Sequence, residues 1–311
     1  MTPLLHTQEP IAAFEDALSR GRLHHAWLLT GPEGVGKAAF AWRAAARLLG
    51  AASFDPPDDD PALRLMTAGS HPDFLMLQRE EERGVVRKVI SVDQARRLPE
   101  FFSKAPAVAR YRVAIIDAAD DLNPNAANAV LKTLEEPSGR GVILLISHAP
   151  GKLLPTIRSR CRRLAFAPWP TAALQSFLSE RGLDASLADM AEGSPGRASA
   201  LAEQGAIEID RQVEALLTSI GPNRLQAVQT MADSLRGEAG KVRFALIIER
   251  LVAASRQRAL AGGAAGDGWA RAWERLAGLT AMVEGLNLDR ADALSTAMET
   301  LNAAVRTSHA A

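Results

Sequence analysis

Residues 31–38 read GPEGVGKA, and this stretch limits the fold more than any other part of the chain. A glycine, four residues, a second glycine and a lysine grip phosphate only when a strand feeds them and a helix leaves them. Each part has a separate task. The glycines let backbone N–H groups close around phosphate oxygens, and the lysine brings a point charge to the β- and γ-phosphates. A Ser or Thr in the next position holds Mg²⁺. Gly31, Gly34, Gly36 and Lys37 therefore form a candidate nucleotide-phosphate cradle, but Ala38 stands where the hydroxyl belongs. A loop with its cradle and without its metal ligand is expected of an ATPase module that has lost turnover.

The flanks supply the required context. Ala26–Thr30, AWLLT, reads as a buried strand, and residues 37–49 read as an alanine-rich helix. Further strands are predicted at residues 73–77, 112–117 and 142–147, with a short fifth at 164–166. Residues 89–92 read as extended, ahead of a helix capped by Ser91 or Asp93. Asn123 followed by Pro124 is a helix start that ends before Pro137. Apolar runs alternating with helices predict a parallel sheet covered on both faces. Residues 51–70, with FDPPDDDP, read as a solvated loop without chemistry. After Pro168 and Pro170 no strand is predicted. Three short helices are expected at 171–182, 187–193 and 195–204, and longer ones from Ile207. Phe244, Ile247, Ile248, Leu251 and Val252 make one helical stripe, and Trp269, Trp273 and Leu276 another, both read as bundle core. Gly262, Gly263, Gly266 and Gly268 mark the loop between them. The predicted organisation is α/β followed by all-α: 1–167 for the sheet domain, 168–206 for a small helical lid and 207–311 for a C-terminal helical domain.

Composition excludes several classes. The 36 basic and 36 acidic residues cancel, so any contact with nucleic acid must be local or shared with partners. Cys161 is the only cysteine, which forbids an internal disulfide and a cysteine-rich zinc site. Aromatic residues make up 5% of the chain, too few for a base-stacking surface. No signal-peptide core and no membrane-length apolar run is read, so a cytoplasmic protein is expected.

Hydrolysis at such a loop also needs an acid at the end of a neighbouring strand, followed in the relevant subclass by a glutamate that polarises water. Asp117 fills the first role as a vestigial metal-site acid, but Ala118 follows it. Glu33 lies inside the loop, where its charge would repel phosphate. Asp120 and Asp121 read as the turn into the next helix. The histidines show no metal or catalytic grouping. The segment TIRSRCRR, residues 156–163, places four arginines in six positions. It reads either as cations at a solvated helix end or as a source of an arginine for another subunit's nucleotide, since the planar guanidinium fork suits phosphate.

LHHAWLLTGPEGVGKA (residues 23–38), NPNAANAVLKTLEEP (123–137), TIRSRC (156–161) and GSPGRA (193–198) together resemble the delta-prime family of the bacterial DNA polymerase III clamp loader, over the whole chain. The resemblance implies an AAA+ P-loop domain, a helical lid and a C-terminal collar domain. It implies a place in a five-membered ring with gamma/tau and delta subunits, which opens the sliding clamp and sets it on primer-template DNA, in the cytoplasm and at the nucleoid during replication. It also implies a stator that does not hydrolyse ATP itself and belongs to the polymerase holoenzyme. Arg160 would be catalytic in trans, on the adjacent gamma/tau ATP, with Ser159 and Cys161 positional. Hydrolysing relatives carry a lid arginine where Gly196 stands here, one residue before Arg197. Many relatives carry a four-cysteine zinc module after the first helix, and residues 51–70 hold no cysteine, so no metal is expected. ATP or ADP bound without hydrolysis stays open. The alternative is an active gamma-like AAA+ ATPase subunit. A stand-alone DNA-binding protein is disfavoured by the neutral charge.

Overall fold

The computed structural model describes residues 6–82, 85–137, 139–218, 222–262 and 266–310. It divides into two compact units, Met1–Ala198 and Ser199–Ala311. The first unit begins with α1 (Gln8–Ser19), β1 (Ala26–Thr30), α2 (Lys37–Leu48), α3 (Pro61–Thr67), β2 (Phe74–Gln78), β3 (Glu81–Glu82) and β4 (Val85–Val86). It continues through α4 (Val92–Phe102), β5 (Arg112–Asp117), α5 (Pro124–Glu135), β6 (Gly141–Ser147), α6 (Pro155–Ser159) and β7 (Arg162–Ala165). Three short helices follow: α7 (Thr171–Ser179), α8 (Leu187–Met190) and α9 (Pro195–Glu203). The division between the units falls within α9.

Five strands form one sheet in the spatial order β2-β5-β6-β1-β7, and every pairing is parallel. Successive strand residues point to opposite faces, and here both faces are buried. Trp27, Leu29, Val113, Ile115, Val142 and Leu144 pack with Phe14, Phe40 and Met66 from α1, α2 and α3. Leu28, Ala114, Ile116, Ile143 and Leu145 pack on the other face with Leu98, Val130 and Ile157 from α4, α5 and α6. That double burial is why the strands read as continuous apolar runs. Crossover helices then bring every strand's C-terminal end to one rim, where ligands bind in open parallel sheets.

Three local readings change. Residues 51–70 are not only loop. Asp60 accepts hydrogen bonds from Ala62 N (2.9 Å) and Leu63 N (3.1 Å), Pro61 opens α3, and Ala62, Leu63 and Met66 enter the core. The basic cluster lies only partly at a helix end: Arg158 is in the last turn of α6 and Arg160 is its C-cap, whereas Arg162 and Arg163 lie in β7. Of residues 89–92, Ile90 makes only a bridge to Leu122, and Val92 already opens α4. Ser91 then caps α4 in a reciprocal pair with Gln94.

The second unit is helical throughout its described residues: α10 (Ala206–Thr218), α11 (Pro222–Asp233), α12 (Gly237–Ala261), α13 (Asp267–Ala277), α14 (Leu279–Leu286) and α15 (Arg290–Ala310). Phe244, Ile247, Ile248 and Leu251 are buried on α12 as the stripe predicts, whereas Trp273 is 38% exposed and is not core. A Cβ on Gly268 would come 2.9 Å from Ala304 O, so α13 and α15 pack backbone to backbone there. Gly263 lies outside the described residues. No helix among the described residues is long and apolar enough to cross a membrane.

Candidate functional site

The phosphate loop leaves the C-terminal end of β1, the strand that pairs with both β6 and β7. Gly31 has φ +147°, and a side chain there would strike the carbonyl oxygen of Phe166. Gly34 (φ +75°) and Gly36 (φ +106°) also lie in the region L-residues avoid. Helix α2 begins at Lys37, so its first N–H groups lack intrahelical acceptors. Among the described residues the amides of Gly36 and Lys37 make no hydrogen bond. These donors at a helix N-terminus suit a phosphate. Ala38 is exposed beside them and supplies no oxygen to a metal. The residues present fit a phosphate group better than its Mg²⁺.

Lys37 is only 2% exposed, and its Nζ donates to Gly31 O at 2.6 Å and to Pro32 O. Burial pulls its pKa down to about 8, against the opposing pull of Asp117, Glu33 and Asp120. Asp117, at the end of β5, has its pKa raised by burial, with His148 and Lys37 acting the other way. Lys37 and Asp117 are therefore brought together as the motif predicts.

Two residues near them were not expected. Asp120 does stand in the turn after β5, but its carboxylate also clamps the end of β6. It accepts hydrogen bonds from Ser147 Oγ at 2.8 Å and from the amides of His148 and Ala149 at 2.6 and 3.3 Å. His148, read from the sequence as ungrouped, joins Asp117 at the same strand ends. An acid three residues past the strand was the available signal for the clamp; nothing local marked the histidine.

The start of α9 closes on this loop. Ser194 Oγ donates to Glu33 O at 2.7 Å, and Gly196 N donates to Gly34 O at 2.9 Å. A Cβ on Gly196 would come 2.8 Å from Gly34 Cα, and one on Gly34 would strike Ser194 Oγ and come 2.9 Å from Arg197 N. Both glycines are needed for this approach. One turn back, Gly193 O accepts from Trp169 N at 2.8 Å, which ties the helix start to the exit from the sheet. Gly34→Ala is expected to destabilise the unit by about 1–3 kcal/mol and to speed hydrogen exchange at the Gly196 amide. Gly151→Ala, where the added carbon meets open space and the backbone is not in the left-handed region, should leave that amide protected. Equal exchange in the two variants would rule out the contact.

Arg160 lies at the opposite rim. In the β1–β7 register Trp27 pairs with Arg162 and Thr30 with Ala165. The loop follows Thr30, while Arg160 precedes Arg162, so at least three strand residues, roughly 10 Å, separate their ends of the sheet. Arg160 is the C-cap of α6. Its Nη1 donates to Thr156 O at 3.1 Å, and its Nη2 lies 2.9 Å from Glu135 Oε1. Ser159 Oγ donates to the same Thr156 carbonyl at 3.1 Å. Cys161 is largely covered, and burial raises its thiol pKa to about 12, so it is a neutral packing group. Arg162 lies over the Trp27 ring at 4.8 Å, and Arg163 Nε donates to Thr30 Oγ1 at 2.9 Å. The four arginines thus have different surroundings.

The family described as DNA polymerase III, delta subunit, matches residues 6–170, more than half the chain. The DNA polymerase III subunit delta' of Pseudomonas aeruginosa is 42% identical over 203 residues, covering 62% of this chain and 60% of that protein. The subunit delta' of Bacillus subtilis is 33% identical over 180 residues, covering 56% of this chain and 51% of its own length. The subunit tau of the same organism is 32% identical over 182 residues, covering 58% of this chain and 31% of its own. The alignments thus span 60% or less of each relative. With the family match over residues 6–170, which hold the five-stranded sheet and its phosphate loop, the chain belongs to the delta-prime family of DNA polymerase III clamp-loader subunits.

Proposed function

We propose that this chain is the stator of its clamp loader, a subunit that does not hydrolyse ATP and that offers Arg160 to the ATP of an adjacent gamma/tau subunit. In this reading its partners are gamma/tau and delta subunits, and the assembled ring places a sliding clamp on primer-template DNA. Residues 168–206 act as the lid and 207–311 as the collar. The observation that carries the reading is the strand register. An arginine at the N-terminal rim of the sheet is separated from its own phosphate loop at the C-terminal rim, so the phosphate it serves belongs to another chain. The loop itself supports loss of turnover, because Ala38 offers no metal ligand and Ala118 no base. Gly196 has no room for the arginine that hydrolysing relatives carry there.

ATP turnover by the isolated chain tests this. No hydrolysis is expected, and Ala38→Thr should not restore it. Robust turnover abolished by Lys37→Ala would instead identify an active gamma-like ATPase. The intact cradle supports nucleotide held without hydrolysis, through Gly31, Gly34, Gly36 and Lys37. Calorimetry should then find ATP or ADP binding that ignores Mg²⁺. Lys37 is largely neutral just above its pKa of about 8, and a bound phosphate favours its charged form. Binding near pH 8.5 should therefore take up a proton, seen as heat that varies with the buffer's ionisation enthalpy. Mg²⁺-dependent binding without proton uptake would contradict this account of the loop.

A further inference from the structure

Glu135 is the last residue of α5, and its carboxylate is the ion-pair partner of Arg160. The helix itself gives no reason for an acid there. The C-terminal end of a helix carries partial negative charge, and a carboxylate in the last turn is unfavourable. A second glutamate, Glu136, follows as the C-cap. The pair is not a stability device either, since the side chains of Arg160 and Glu135 are 37% and 44% exposed. Ion pairs that open to water contribute little to stability.

The effect of the pair is conformational. Thr156 O takes one arm of the guanidinium and Glu135 the other, so the plane of the fork is set from two elements, α6 and α5. A free arginine carries considerable rotamer freedom. Fixing it beforehand removes part of that loss from the step in which it meets phosphate.

We infer that Glu135 is the positioning residue for Arg160: it orients the guanidinium before the adjacent subunit's nucleotide arrives and acts on hydrolysis only through that arginine. The inference rests on the reading of Arg160 as the residue offered in trans. It assigns Glu135 no contact with nucleotide.

The test is a double-mutant cycle in the assembled loader, with kcat and KM for ATP at the adjacent site taken from single-turnover phosphate release for the wild-type chain, Glu135→Ala, Glu135→Gln, Arg160→Ala and the double variant. Glu135→Ala is expected to lower kcat by about fivefold with KM unchanged, because orientation matters in the transition state. Glu135→Gln keeps an oxygen that accepts from Nη2 and should retain most of the activity. In the Arg160→Ala background, Glu135→Ala should change nothing further. If Arg160→Ala lowers kcat but Glu135→Ala matches wild type, or if the Glu135→Ala loss persists without Arg160, the positioning role is wrong and the reading of Arg160 stands. If Arg160→Ala leaves kcat unchanged, that reading fails and the inference fails with it.

Discussion

Arg160→Ala in the assembled loader is expected to slow hydrolysis at the adjacent nucleotide by about 10³-fold or more, the usual range for an arginine supplied in trans. The chain itself should fold normally. Arg160 is partly exposed and makes one ion pair and one hydrogen bond to a carbonyl, so its removal should shift stability by no more than about 1 kcal/mol. Arg160→Lys should recover little, because an ammonium cannot hold two phosphate oxygens with a planar fork. Single-turnover phosphate release separates this site from the loader's other sites, and a denaturant midpoint checks the fold. Release as fast as wild type would reduce the basic segment to a solvated edge of the sheet. Arg158, on α6, and Arg162, over the Trp27 ring, serve as neighbouring controls whose replacement should leave release close to wild type.

The sheet was legible because its strands are buried on both faces, which leaves almost no polar residue between Ala26 and Thr30 or between Val142 and Ser147. β7 was harder. Its first two residues are arginines, and a charged pair reads as loop or helix end. The stems of long basic side chains can nevertheless cover apolar surface, as Arg162 does over Trp27. The reading of α3 as solvated loop let acids and prolines outweigh a local signal that was present, an Asp-Pro cap at Asp60 and Pro61. Trp273 followed the period of its helix, yet it faces outward. Periodicity identifies a stripe, but its width depends on which helices cover it. The cradle residues and Asp117 followed from motif and strand order. The contact of Ser194 with Glu33 spans 161 positions, and the pairing of Glu135 with Arg160 joins two helices. Neither leaves a mark in local sequence, because both arise where the crossovers return.

Asp73→Ala is expected to destabilise the sheet unit by about 3–5 kcal/mol, the range for stripping the partner from a buried charge. Asp73 is fully buried. One carboxylate oxygen accepts from Ala107 N at 2.7 Å, and the other accepts from Val108 N and Ala109 N at 2.8 and 2.9 Å. Arg112 Nε lies 3.8 Å from the first oxygen. The guanidinium also donates to Pro72 O at 2.9 Å and stacks over Phe101 at 4.1 Å. Alanine would leave three amides without their acceptor and a 7%-exposed arginine without its nearest counter-charge. Burial alone would raise the Asp73 pKa, but the three amides and Arg112 outweigh it and hold the carboxyl below its ordinary value. Its contribution is therefore complete above the unfolded carboxylate value, near 3.9, and is lost as pH falls through the lower folded value. Wild-type stability should drop steeply in acid, and the variant should lose that part of the slope. Because the chain has two units, hydrogen exchange at β5 amides is the suitable readout, since it assigns the loss to this sheet. A change below about 1 kcal/mol, or an unaltered acid slope, would mean that the loop at residues 105–109 can find other acceptors. Asp73 binds the N-terminal end of β5, while Asp117 ends the same strand at the phosphate loop. The variant should therefore weaken the unit while leaving nucleotide affinity unchanged in the fraction that remains folded.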